Sequence, residues 1–237
     1  MRSALRILRF MSEFLRATPT HLNAWVKERP RQLAAFCIGV IGLNAGAYGA
    51  AMGSWSNGLQ SCYTGLKLPL AILLTTLGNG LLNGMLAPLL GVPVTFRQSL
   101  ALVLVSFAIT AMILGALSPV ALFVIWNTPA LSVATHETSP EYGFMQLTIA
   151  GFIALSGVIG NVRLYPLLLE WTGRRAVALQ VLLAWLTGNL FLGSQICWVL
   201  RPFIWDPTGR MEFIGSRYLQ GSFFETLWEA ARRLLLS

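Results

Sequence analysis

Five stretches of this chain contain no Asp, Glu, Lys or Arg: Gln32–Leu66, Leu68–Phe96, Gln98–His136, Tyr142–Val162 and Ala176–Leu200. A helix that crosses the hydrocarbon core of a bilayer needs about 20 consecutive, mostly apolar residues. Each stretch holds one such helix, and none comfortably holds two. Charged residues make up only 11% of the chain, against roughly 25% in a soluble domain. The expected fold class is all-α: a polytopic transmembrane bundle of about five spans, with amphipathic helices at both ends.

Three regions follow from this pattern. Residues 1–31 form a basic amphipathic N-terminal segment, 32–200 the five-span bundle, and 201–237 a tail ending in an amphipathic helix. In the first region Arg2, Arg6, Arg9 and Arg16 interleave with Leu5, Leu8, Phe10, Met11, Phe14 and Leu15. That pattern suits a helix lying on a membrane surface. Thr18-Pro19 reads as a helix start, with Thr as cap and Pro in the first turn, and a short helix from His21 to Glu28 follows. In the tail, Ser222 and Glu225 have capping-box spacing. Beyond them Phe224, Leu227, Trp228, Ala231, Leu234 and Leu235 form an apolar stripe. Arg6, Arg9, Phe10, Phe224, Trp228 and Arg232 are the candidate contacts to a membrane surface or a partner.

Span one, Leu33–Gly53, carries small residues at Ala35, Gly39, Gly42, Gly46, Gly49 and Gly53, in steps of 4, 3, 4, 3 and 4. On a helix these form one bare ridge. Each glycine weakens a helix in water by about 1 kcal/mol relative to alanine. In a bilayer the backbone has no other partner, so the helix holds and the ridge admits a neighbour closely. Leu33–Ala47, closing on Ala45-Gly46-Ala47, also has the outline of a signal peptide; we read it as the first span. Lys67-Leu68-Pro69 reads as the opening of span two, with Lys67 as a snorkelling interface residue. Span two, about Leu68–Gly91, pairs Gly80 and Gly84 with Asn79 and Asn83, so that face should meet protein. Span three, about Leu100–Trp126, has Ala108, Ala111, Gly115 and Ser118 in one row, with a tilt or kink expected at Pro119. Span four, about Phe144–Gly160, has Ala150, Ala154, Gly157 and Asn161 in another. Arg163–Arg175 reads as an interfacial segment broken by Pro166, and span five covers about Ala176–Leu200.

The polar residues available inside the spans are Asn44, Asn79, Asn83, Asn161, Asn189 and Gln195. They could line a hydrated pathway or a headgroup site. The commoner role of such residues is to bond one helix to another, at about 0.6 kcal/mol each and up to roughly 1.7. No Asp or Glu lies within a span, which disfavours proton- or sodium-coupled transport. The two histidines, His21 and His136, both fall outside the spans. Cys37, Cys62 and Cys197 form no C-x-x-C pair, so neither a structural metal nor a cofactor is expected. A bridge between Cys62 and Cys197 is geometrically open, although isolated apolar cysteines more often serve packing. No hydrolase, zinc-protease or phosphate-loop motif occurs, so the chain reads as a non-enzyme.

The net charge of +8 sits beside the spans rather than in a soluble domain. It points to anionic lipid and not to nucleic acid. With the N-terminus inside, 11 Lys and Arg face the cytoplasm and 6 face outward. The lysine-and-arginine rule therefore favours N-in, C-out.

Three strings stand out together: Tyr48-Gly49-Ala50-Ala51-Met52-Gly53, Leu66-Lys67-Leu68-Pro69-Leu70, and Gly193-Ser194-Gln195-Ile196-Cys197-Trp198-Val199-Leu200-Arg201-Pro202-Phe203. In this order they resemble a family of uncharacterised bacterial multi-pass membrane proteins described as Yip1-like. The GSQxxWxLRPF-type run is the most specific part. The chain departs from the family pattern at Gly78–Leu82 and at Trp205-Asp206-Pro207. The resemblance implies a bacterial inner membrane, a five-span core and a cytoplasmic N-terminus, but no activity. The expected function is an integral inner-membrane scaffold or accessory subunit, with the lipid bilayer and other membrane proteins as partners. The alternative is a permease or channel-forming subunit for a small solute or lipid. The two part on whether Asn79, Asn83 and Asn189 line a wet cavity or are packed and bonded.

Overall fold

The computed structural model describes residues 14, 18–55, 58–89, 95–129, 140–200, 213 and 222–235. Among these the regular structure is entirely helical. The elements are α1 (Pro19–Glu28), α2 (Pro30–Gly53), α3 (Gly58–Leu89), α4 (Phe96–Trp126), α5 (Pro140–Val162), α6 (Tyr165–Thr172), α7 (Arg175–Leu200) and α8 (Phe223–Leu235). Five of them, α2, α3, α4, α5 and α7, are long and apolar enough to cross a membrane. The chain is thus an all-α, multi-pass bundle.

The bare ridge on α2 is used over half its length. A Cβ on Gly49 would lie 2.5 Å from the Thr64 carbonyl oxygen, and one on Gly53 2.5 Å from that of Gln60. A Cβ on Gly46 would lie 3.3 Å from the Gly65 carbonyl oxygen. The backbones of α2 and α3 can approach this closely only because those side chains are missing. Ser61 Oγ donates to the Ala50 carbonyl at 2.7 Å and fastens the two helices. A Cβ on Gly39 or Gly42 would meet nothing within 4 Å, so their half of the ridge packs on no described part of the chain.

This hairpin corrects the reading of span two. The helix does not open at Lys67-Leu68-Pro69: residues 58–67 already form the first turns of α3, and Pro69 lies within the helix. Close packing on α2 holds those polar turns helical. Lys67 is correspondingly not a snorkelling residue: it is 3% exposed. Its Nζ lies 5.3 Å from the Phe213 ring centroid and 6.0 Å from that of Tyr63, within the range of cation–π attraction.

Helix α4 is the hub, packed against α2, α3 and α5. Its start is a Thr95 capping box: Thr95 N donates to Gln98 Oε1 at 2.9 Å and Gln98 N to Thr95 Oγ1 at 3.4 Å. The helix therefore begins at Phe96, ahead of the expected Leu100, and continues through Pro119 to Trp126. Ala108, Ala111 and Ser118 are buried as the row of small residues implied, and Asn44 is seated against Gly115.

The row expected on span four is different. Of that row Asn161 is buried, but Ala154 is exposed and a Cβ on Gly157 would meet nothing within 4 Å. The buried face runs through Tyr142, Met145, Ile149, Ser156 and Gly160. There Gly160 meets Ser106 and Thr110 of α4, and Thr110 Oγ1 donates to the Ser156 carbonyl at 3.2 Å. The larger Ile149 and Tyr142 continue this face; the smaller residues merely have helical spacing.

The two ends of the bundle differ. At one end α1 packs on α2, α4 and α6, with Thr18 capping α1 through His21 N as its sequence implied. Phe14 is buried there, stacked 6.2 Å from Trp25 and edge-on to Phe36 at 5.2 Å. Pro166 begins α6 rather than breaking it. At the other end Trp55 sits 5.7 Å from Tyr142, and its Nε1 donates to the Thr128 carbonyl at 3.4 Å. Phe213 meets Tyr63 at this second end, 5.7 Å between centroids, which places this part of the tail opposite α1. Helix α8 carries the expected capping box, with Ser222 N donating to Glu225 Oε2 at 2.9 Å, and it packs on α5 and α7.

Candidate functional site

Helices α3, α7 and α5 bring three of the six intramembrane amides together. Asn79 Nδ2 donates to Asn189 Oδ1. Asn189 Nδ2 donates to Asn161 Oδ1 at 2.8 Å, and Asn161 Nδ2 to the Gly157 carbonyl at 2.9 Å. The residues are buried: Asn79, Asn189 and Asn161 are 0%, 8% and 2% exposed. Asn189 lies about 21 Å along α7 from Arg175, at about 1.5 Å per residue, and hence near the middle of that span.

The direction of this relay is set by its end. The Gly157 carbonyl can only accept, so Asn161 must donate with its nitrogen and accept with its oxygen. The same logic passes to Asn189 and then to Asn79. The amide orientations, ordinarily an assignment, are here fixed by one backbone oxygen. The relay leaves a single end group, Asn79 Oδ1, which has no partner among the described residues. Gly188 makes room for it: a Cβ there would lie 2.9 Å from that oxygen.

The remaining amides stand apart. Asn83, one turn beyond Asn79, is 1% exposed and its Nδ2 is unpartnered among the described residues. Asn44 donates to the Val40 carbonyl of its own helix at 2.9 Å. Gln195 is half-buried on α7 and outside the relay. Gly80 and Gly84 lie beside the two amides as expected, against Leu100 and Phe96 of α4. Tyr48 is a polar tie that the amide pattern does not include. Its hydroxyl donates to the Ile149 carbonyl at 3.3 Å and joins α2 to α5. A fully buried tyrosine within a span needs such a partner, and that requirement is the signal available in the sequence.

Elsewhere the chemistry is sparse. Cys37, Cys62 and Cys197 are free thiols, so the possible bridge between the last two is not formed. Among the described residues no three His, Cys, Asp or Glu side chains come together as a metal site would require. Seven exposed cations, Lys27, Arg29, Arg31, Arg97, Arg163, Arg174 and Arg175, gather at the α1–α6 end, where Asn23 Nδ2 meets Glu170 Oε1 at 3.5 Å. Of the candidate surface contacts, Phe224, Trp228 and Arg232 are exposed on α8. Arg6, Arg9 and Phe10 lie outside the described residues.

No protein-family model, curated protein or solved structure matches this chain.

Proposed function

We propose that the chain is a non-enzymatic integral scaffold or accessory subunit of a larger membrane protein complex. The observation that carries this reading is the amide relay. Three of the polar groups best placed to conduct a solute, Asn79, Asn189 and Asn161, bond to one another and join three spans across the bundle interior. A pathway needs polar groups that face water; Asn79, Asn83, Asn161 and Asn189 are all buried, Asn83 without a partner for its Nδ2 among the described residues. The relay therefore supports the scaffold over the permease.

The basic end of the bundle supports a cytoplasmic placement of α1 and α6, because Lys and Arg accumulate on the cytoplasmic side. The opposite end, with Trp55 and Phe213, then faces the periplasm of a bacterial inner membrane. The Yip1-like resemblance of the GSQICWVLRPF run agrees by analogy only.

Native mass spectrometry after mild solubilisation tests the proposal. The expected result is a complex of fixed stoichiometry with other membrane proteins. A chain released alone and stable under the same conditions contradicts it.

A further inference from the structure

Helix α8 has three faces rather than two. At about 100° per residue, Phe223, Leu227 and Ala230 share one sector. Phe224, Trp228 and Leu235 share the next, and Glu225, Glu229 and Arg232 the third. The first sector is turned inward: Ala230 is fully buried, and Phe223 and Leu227 are partly buried. The helix packs on α5 and α7, both of them candidate spans. The second sector is bare. Phe224 is 44% exposed, Trp228 68% and Leu235 81%.

We infer that this bare sector lies in the acyl–headgroup boundary of the leaflet at the end opposite α1. Three observations select lipid as the occupant. The inner sector already holds α8 to the flank of membrane spans, so whatever covers the adjacent sector lies beside the bundle, where lipid is. The third sector carries three charged side chains within the same 13-residue helix. That excludes burial in the hydrocarbon core and demands headgroups or water on that side. Phe213, nine residues before Ser222, lies at that end, in contact with Tyr63 and Lys67 in the first turns of α3. A helix with apolar and charged sectors side by side, packed on two candidate spans, fits the interface plane, where such faces insert about 5–10 Å. Trp228 has the residue type favoured at that depth.

The consequence is a bundle gripped at both leaflets. Helix α1 and the cations mark one surface, and α8 marks the other. The tail is then an anchor that fixes the height and tilt of α5 in the bilayer. It is not a free arm reaching for a partner.

Spin labels on a background with Cys37, Cys62 and Cys197 replaced give the test, in lipid nanodiscs. Trp228→Cys should collide with oxygen several-fold more than with a water-soluble nickel chelate. Glu225→Cys should show the reverse. Low collision with both reagents at 228 would mean that protein covers the sector and would overturn the inference. High nickel collision at both positions would place α8 in water and would also overturn it. A second measurement uses the unaltered chain: an apolar diazirine dissolved in the bilayer should label the Phe224–Trp228 peptide on illumination. Absence of label there, with label on the lipid-facing residues of α3, counts against the inference whatever the variants do.

Discussion

Asn189 is the residue on which the interior chemistry turns, because it donates to one span and accepts from another. Replacing it with Ala leaves both Asn161 Oδ1 and Asn79 Nδ2 without partners. Each orphaned buried group costs about 1–3 kcal/mol in soluble proteins, and less where membrane helices find substitutes. Asn79→Ala orphans only Asn189 Oδ1. Thermal unfolding in detergent should therefore rank Asn189→Ala below Asn79→Ala, and both below wild type. Equal melting temperatures would mean that the relay carries no stability. The amides themselves are legible in the sequence, as polar residues inside charge-free spans. Their pairing is not. Six candidates share similar spacing, and only the antiparallel placement of α3 and α7 selects Asn79 and Asn189.

Among the elements, α2 shows how one row of glycines can do two things. Gly49→Ala would drive a Cβ into the Thr64 carbonyl, 2.5 Å away. It should lower the melting temperature markedly, because backbone cannot step aside as a side chain can. Gly42→Ala meets nothing and should leave stability unchanged or raise it, since alanine favours the helix by about 1 kcal/mol. A parallel loss at both positions would show that the whole ridge is packed. The ridge is plain in the sequence, but which half is used depends on where α3 begins. That start is hidden because Ser54–Lys67 reads as a polar loop. The start of α4 falls four residues before the expected Leu100, and the missed signal is the capping-box spacing of Thr95 and Gln98. Thr95→Ala should cost about 1 kcal/mol, seen as faster amide exchange in the first turn of α4; unchanged exchange would mean the cap is redundant.

At the scale of the molecule, five spans place Phe14 and Phe213 at opposite ends. The span count is readable from the spacing of charges. The docking of α8 on α5 and α7 is not, because an amphipathic stripe does not say what it touches. Cys62 is exposed near the start of α3, at the end opposite the cations. In intact cells a membrane-impermeant maleimide should label it, provided the basic end is cytoplasmic; labelling only after the membrane is broken would invert the threading. The bundle as a whole is held together by close backbone approach and by a buried amide relay that joins three spans. A scaffold of this kind requires its interior to be dry. The direct measurement is deuterium exchange at asparagine side-chain nitrogens, followed by NMR on chain labelled with nitrogen-15 asparagine in nanodiscs. The side-chain amides of Asn79, Asn161 and Asn189 should stay protonated long after that of exposed Asn127 has exchanged. Exchange of all four at the same rate would show a wet interior and contradict the scaffold.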